Sequence, residues 1–264
     1  MIAFILPSNP MNKKEPDYGY EDEFNKLKEN NFKVYLINVD DLESSKPFPL
    51  YENEKLIYRG WMLSEEKYEM MNQKVNGNLI TNTKDYLYSH HIVGWYNEIK
   101  ENTFETYFST IENASKVFNQ TKWSKAFVKD YVKSIKTGKG SIIDSEEDIK
   151  RIQEDILKYK GFIEGGIVFR KVEEFDKNSE TRFFILNNKI FSPKEVSSEM
   201  FNLVNEISKK HSAFFYSVDI IKQDDNYKVI EIGDGQVSDM VGWDIDNFID
   251  IFKSLENKKQ LKLR

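Results

Sequence analysis

The sequence predicts a mixed fold: an α/β segment over residues 1–110, then an α+β segment over 111–264 built on antiparallel strands. Three observations carry this. An apolar run at residues 2–6, helical spacing at Tyr20, Phe24 and Leu27, and a second apolar run at 32–37 give the strand, helix, strand order of a parallel sheet. Past Asn119 the pattern changes to longer strands joined by polar turns. Residues 214–221 and 227–232 then read as a hairpin turned through Asp224, Asp225 and Asn226.

Taken in order, Pro7 and Pro10 end the first run, as in a buried strand feeding a loop. A loop rich in Asp, Ser and Pro (40–49) leads to KLIYRGW, a third strand closing at Arg59 and Gly60. Ser64 caps the next helix, with Glu65 and Glu66 in its first turn and Tyr68, Met71 and Val75 on its apolar face; Asn76 and Gly77 stop it. Leu79 and Ile80 read as a short strand, and a helical stretch from Thr83 carries His90 and His91.

In the second segment, residues 123–135 (WSKAFVKDYVKSI) read as one strand with Lys125, Lys129 and Lys133 on one face. The loop KTGKGS (136–141) follows, then a helix capped by Asp144 and Ser145, striped with Ile149, Ile152, Ile156 and Leu157 and ended by Gly161. Strands at 165–175 and 181–186, a turn at Asn187 and Asn188 into 189–191, and a helix marked by Val196, Met200, Val204 and Ile207 precede the hairpin. A last helix runs through Ile245, Phe248, Ile249, Phe252 and Leu255.

Composition narrows the function. A formal charge of -6 gives no net attraction to nucleic acid or an acidic membrane surface, and no nucleic-acid partner is expected. The absence of cysteine excludes disulfides, zinc–thiolate sites and cysteine nucleophiles. MIAFILPSNP has no basic region before its short apolar run and reads as a first strand, not a signal peptide; no run nears the ~18 apolar residues of a membrane span. The expected compartment is the cytoplasm.

The hairpin sets the chemistry. With its turn centred on Asp225, Asp219 stands opposite Glu231, with Cβ atoms about 4.5–5.5 Å apart. Two carboxylates at that distance repel unless a divalent cation lies between them, with Asp234 past the strand end as a third oxygen donor. The alternative is a solvated hairpin whose acids keep it soluble. Lys129 on a strand before a loop with Gly138, Lys139, Gly140 and Ser141 is a way to hold polyphosphate, or a plain hairpin loop. KTGKGS does not match the usual phosphate-loop pattern.

The run FRKVEE (169–174) is either a strand end entering solvent or a hinge whose backbone reads a purine while Glu174 takes ribose hydroxyls. Arg182, between aromatics in TRFFIL, needs an anionic partner, a phosphate or a protein acid such as Glu180. Arg59, at a strand end where open sheets place ligands, meets a substrate carboxylate or an internal acid. His90 and His91 are read as structural, since helical neighbours diverge by about 100°.

Together these parts, with the segments YRGWM, VKDYVKS, FRKVEEF, ETRFFILNNKI and SVDIIKQDDNYKVIEIGDGQ, resemble the ATP-grasp superfamily, in particular a small bacterial and phage clade. The resemblance implies a Rossmann-like pre-ATP-grasp domain (1–110) that helps bind the second substrate, and a two-lobed ATP-grasp domain (111–264). It implies ATP and magnesium as cofactors. Lys129 would bind the α- and β-phosphates under the 136–141 loop, and Arg170, Lys171, Val172 and Glu174 would line the nucleotide, with Lys171 and Val172 offering backbone groups to adenine. Arg182 would face the transferred phosphoryl group, and Asp219, Glu231 and Asp234 would hold magnesium.

One departure stands out: the family's Glu-x-Asn is here Glu231-Ile232-Gly233. The activity implied is an ATP-dependent carboxylate–amine ligase working through an acyl phosphate on a small-molecule or peptide carboxylate. The alternatives are an inactive nucleotide-binding sensor or partner-binding module, and an ATP-dependent phosphotransferase.

Overall fold

The computed structural model describes residues 2–45, 54–134 and 140–255. Its first elements are β1 (Ile2–Pro7), α1 (Glu21–Glu29), β2 (Lys33–Ile37), β3 (Lys55–Tyr58), α2 (Glu65–Lys74), α3 (Thr83–His90) and α4 (Ile92–Ile99). β4 (Thr106–Ser109), α5 (Ala114–Thr121), β5 (Ala126–Lys129), β6 (Ile142–Ile143), α6 (Glu146–Lys160) and β7 (Ile167–Lys171) follow. The last are β8 (Asp176–Leu186), β9 (Lys189–Phe191), α7 (Ser198–Lys210), β10 (Phe215–Gln223), β11 (Asn226–Asp234) and α8 (Ile245–Lys253). The mixed architecture with antiparallel sheets is therefore present. Among the described residues no helix is long and apolar enough to cross a membrane.

The chain forms two compact units, each discontinuous: residues 1–89, 181–218 and 233–264, and residues 90–180 and 219–232. These cut the chain elsewhere than a single division at 110.

In the first unit β1 lies between β2 and β3, parallel to both. Its apolar run is continuous because both faces are covered. Ala3 and Ile5 join Tyr58, Tyr68, Met71, Tyr86 and Val237, while Phe4 and Leu6 join Phe184, Phe215, Phe248 and Phe252. Ser64 caps α2 by accepting from Lys67 N, as its position before Glu65 suggests. Asn187 and Asn188, both at positive φ (50° and 61°), make the two-residue turn from β8 to β9. The expected strand at Leu79 and Ile80 is only a single bridge between Leu79 and Leu56.

In the second unit the sheet order is β4-β7-β5-β6, with antiparallel pairs β4·β7, β7·β5 and β5·β6. One face buries Ala126, Val128, Ile143, Ile167 and Phe169 against Phe118 of α5 and Ile149, Ile152 and Ile156 of α6. Ser145 caps α6 and Gly161 (φ 83°) ends it. A third sheet, β11-β10-β8-β9, completes the strands.

The expected strand over 123–135 is shorter, Ala126–Lys129, because Asp130 Oδ1 accepts from Val132 N (2.8 Å) and Lys133 N (2.7 Å) and turns the chain. Lys133 therefore does not share a strand face with Lys129. The elements α4, β4 and α5 are additional to the expected ones: Ile92, Trp95 and Ile99, and Ala114, Phe118 and Thr121, recur at helical spacing and give the two helices their buried faces. Each is short and is held by burial, as at Trp95, Ile99, Ala114 and Phe118.

Candidate functional site

Lys129 ends β5 and is 5 % exposed. The neighbouring Val128 N donates to Ser141 O (2.8 Å), which ties the strand to the far end of the glycine-containing loop, where Gly140 sits at φ 69°. Gly138 and Lys139 lie outside the described residues.

The Lys129 ammonium donates to Glu231 Oε1 at 2.5 Å, joining the strand lysine to the hairpin acid. Asp219, on β10 in the same unit, is 3 % exposed. Elsewhere on the hairpin, Gly235 N donates to Phe215 O (3.1 Å) and Ser217 Oγ to Gly233 O (3.5 Å). Each contact joins residues equidistant in sequence from Asp225.

Among the described residues no three His, Asp or Glu side chains form a group that could hold a metal ion. Magnesium does not require one, since it keeps several waters and is commonly held by one or two carboxylates together with substrate phosphates. Glu231, a hard oxygen donor beside Lys129, and the buried Asp219 of the preceding strand are the donor types that demand calls for.

FRKVEE divides into buried and exposed parts. Arg170, expected at the nucleotide, is 6 % exposed and turned inward: its Nη1 donates to Ile230 O (2.6 Å), its Nη2 to Thr103 Oγ1 (2.8 Å), and it lies over the Phe104 ring. Burial lowers its pKa to about 10 against the pull of Glu231 and Tyr96. In this structure its terminal nitrogens are engaged by Thr103 and by the carbonyl that precedes Glu231. Lys171 N, expected to face adenine, donates to Glu105 O (2.9 Å), while the Val172 side chain is exposed and Glu174 emerges beyond the end of β7. Glu173, which carries no sequence signal of its own, accepts from Gln223 Nε2 (2.7 Å) and Lys228 Nζ (3.0 Å).

A second polar cluster lies directly after Lys129. Lys160 Nζ donates to Asp130 Oδ2 and Glu164 Oε2, both at 2.7 Å, and His91 Nε2 lies 3.0 Å from Glu164 Oε1. Burial acts to raise the Glu164 pKa, but its bonds to His91 and Lys160 bring it down to about 2. His90 is lowered to about 4, chiefly by burial. The histidines meet a common acid because α3 ends at His90 and His91 is the N-cap of α4, so they do not share one continuous helix. The only sequence signal of this cluster is the i,i+4 spacing of Lys160 and Glu164.

In the first unit, Arg182 donates from Nη1 to Asp239 O (2.8 Å). Arg59, left by the sequence between a substrate and an internal acid, meets the acid. Its Nε and Nη2 donate to Glu23 (2.7 and 3.1 Å) and its Nη1 to Gly235 O (2.6 Å) and Ser238 O (3.1 Å). The signal was available in Glu23, a charged residue on the apolar face of α1 with Tyr20 and Leu27.

Asp234, expected as the third oxygen donor to a metal, is fully buried. Its Oδ1 accepts from Gln236 N (3.0 Å) and Nε2 (3.1 Å), and its Oδ2 has no hydrogen-bond partner. Burial raises its pKa to about 7, against the hydrogen bonds from Gln236 and the charge of Arg59. It is an internal carboxyl in this structure. At Gly233 a Cβ would stand 3.1 Å from both Ser217 Oγ and Ser238 Oγ, which are themselves hydrogen-bonded at 2.8 Å. A side chain here, such as the asparagine of the family motif, requires both hydroxyls to give way by a few tenths of an ångström.

Residues 93–251, which include Lys129, Asp219 and Glu231, match the family model described as an ATP-grasp domain, the third family of its clade. A search of curated proteins found no match. Among solved structures, D-cycloserine synthetase DcsG superposes with a TM-score of 0.65 at 11% identity, covering 96% of this chain and 99% of that one. The ATP-grasp ligase PsnB, complexed with a phosphomimetic variant of its minimal precursor, Mg and ADP, gives 0.60 at 10% identity, with 96% of each chain covered. D-alanine–D-alanine ligase from Bacillus anthracis gives 0.59 at 14% identity, again over 96% of each.

Proposed function

The chain belongs to this ATP-grasp family, and we propose that it is an ATP-dependent ligase joining a carboxylate to an amine through an acyl phosphate. The observation that carries the reading is the Lys129–Glu231 pair, a buried ammonium held at 2.5 Å by a hairpin carboxylate. Each member suits one half of a metal–nucleotide complex.

In this reading the γ-phosphoryl group passes from its bridging oxygen in ATP to a substrate carboxylate oxygen, and ADP leaves. The amine nitrogen then attacks the acyl carbon, the C–O bond to phosphate breaks, and phosphate and a proton depart. Lys129 neutralises phosphate oxygens, and Val128 N with its hold on Ser141 keeps the loop end beside it. Asp219 and Glu231 hold magnesium, which when bound supplies further charge neutralisation. Arg182 keeps the role that family likeness suggests, contact with the transferred phosphoryl group. Gly138, Lys139, Gly140 and Ser141 keep theirs at the phosphates, and Val172 and Glu174 at the nucleoside. Residues 1–110 are proposed as a pre-ATP-grasp domain that helps hold the second substrate, and 111–264 as the ATP-grasp domain. The precursor, D-cycloserine and D-alanine named for the similar structures support a small-molecule or peptide carboxylate and an amine as partners.

A second reading is favoured by one observation, Gly233 in the place of the motif asparagine, crowded by the Ser217 and Ser238 hydroxyls. It is a nucleotide-binding module that has lost ligation.

Thermal unfolding with and without Mg·ATP tests the site, since a ligand at 100 times its Kd adds about 2.7 kcal/mol, roughly 5–10 °C for a chain of this size. No shift at saturating ligand overturns the site. Given a shift, ADP and phosphate released only when carboxylate and amine are both present mark the ligase. Binding without turnover across a broad panel of acids and amines marks the module.

A further inference from the structure

We propose that Lys160 is a positioning residue for the nucleotide phosphates, acting through Asp130 on the turn that carries Lys129; this rests on the nucleotide-site reading above. The geometry is specific. Asp130 follows Lys129 directly and is 1 % exposed, and its two oxygens do separate work. Oδ1 accepts from Val132 N and Lys133 N at 2.8 and 2.7 Å and so closes the turn leaving β5. Oδ2 accepts from Lys160 Nζ at 2.7 Å.

The last residue of α6, Lys160, reaches back to Glu164 Oε2 at 2.7 Å, and Glu164 bonds His91 at 3.0 Å. Glu164 also grips the turn through its backbone, since its carbonyl accepts from Tyr131 N at 3.1 Å. Two buried or half-buried carboxylates thus share one ammonium. Without that charge they repel each other, and the turn is the element that yields, because β5 is fixed on both sides by β6 and β7. Lys129, one residue from the turn, moves with it, and a small displacement of a phosphate-binding ammonium weakens binding without unfolding the sheet.

The experiment is a mutant cycle on the full chain, reading Kd for Mg·ATP by titration calorimetry at a temperature where circular dichroism shows every variant folded. Lys160→Met is expected to raise Kd about tenfold, and Lys160→Arg, which keeps the charge between the two acids, to stay within about threefold of wild type. Asp130→Asn keeps the Oδ1 acceptor for the turn and removes one of the two repelling acids, losing the Lys160 bond and the 3.4 Å bond from Glu164 N to Oδ2, so it should stay nearer to wild type than Lys160→Met. The double variant should be no worse than either single one.

A purely structural role would lower the thermal midpoint and leave Kd of the folded protein unchanged, and that result overturns the proposal. Additive effects of Lys160→Met and Asp130→Asn overturn it too. If wild type itself binds no Mg·ATP, the nucleotide site falls and this role with it. If wild type binds and Lys160→Met binds equally well, only the positioning role falls.

Discussion

Replacing Glu231 by glutamine separates two things the site asks of one carboxylate. In the ligand-free protein Glu231 neutralises Lys129 at 2.5 Å, with side-chain exposures of 37 % and 6 %. Exposed ion pairs are worth about 0.2–1 kcal/mol, and breaking a buried pair costs about 3–5. A pair with one member half-buried falls between them, at about 1–2 kcal/mol, a factor of roughly 5–30 in binding. Nucleotide phosphates without metal must displace Glu231 from Lys129 and meet that cost. In the proposed site the carboxylate would leave the lysine for a bound magnesium, so metal and nucleotide would favour each other. Glu231→Gln should therefore bind metal-free ATP about 5–30-fold more tightly than wild type, and Mg·ATP more weakly. Titration calorimetry in EDTA and in excess magnesium measures both. If the variant binds metal-free ATP no more tightly than wild type, the mutual neutralisation of Lys129 and Glu231 is not what the ligand competes with.

Other consequences are equally direct. The raised pKa of Asp234, about 7, means that its contribution to stability is full below its unfolded value near 4 and is lost as pH rises through 7. The stability difference between Asp234→Asn and wild type, from urea unfolding, should grow in favour of the variant between pH 5 and 7.5 by about 2–4 kcal/mol, and a difference independent of pH would remove the buried neutral carboxyl. His211, buried and lowered to about 3, acts in the opposite sense: its contribution is present above about 6.5 and lost as pH falls toward 3, so His211→Gln should flatten the acid limb of the stability profile. Gly233→Asn should destabilise the fold by about 1–3 kcal/mol through the Ser217–Ser238 pair, visible as a lower urea midpoint; an unchanged midpoint would show that the two hydroxyls give way freely. Glu23→Gln leaves Arg59 buried without its counter-charge and should cost about 3–5 kcal/mol, and a loss under about 1 kcal/mol would mean that the Gly235 and Ser238 carbonyls suffice.

The parts of this fold written in local pattern were legible in the sequence. The apolar run of β1, the Ser64 and Ser145 caps, the Asn187–Asn188 turn and the stripe of α6 each follow from spacing or turn chemistry that acts over a few residues. The length of β5 was not, because a single Asp130 side chain overrides strand propensity by bonding two following N–H groups. The partners of Arg170 were hidden for a related reason: a strand arginine signals a demand for acceptors, and Ile230 O and Thr103 Oγ1, both far away in sequence, take its Nη1 and Nη2 while Nε stays unpartnered. Local pattern marks Lys129 and Glu231 separately, as a phosphate lysine and a metal acid. Nothing in their spacing says that they neutralise each other, since the contact joins residues 102 positions apart.

The discontinuity of the first unit bears on how the protein is made. Phe4 and Leu6 on β1 find their apolar partners in Phe184, Phe215 and Phe248, and residues 90–180 belong to the other unit. At ribosomal speeds of about 5–20 residues per second, roughly 5–20 s of synthesis separate the end of the first stretch from the arrival of the second. Through that interval this face of the parallel sheet is covered only by residues of the first stretch, among them Leu27 of α1. A nascent chain stalled between residues 90 and 180 should accordingly be a substrate for chaperones that bind exposed aromatic surface, and a fragment cut at the start of the family match would part β8, β10 and α8 from the strands they pack against.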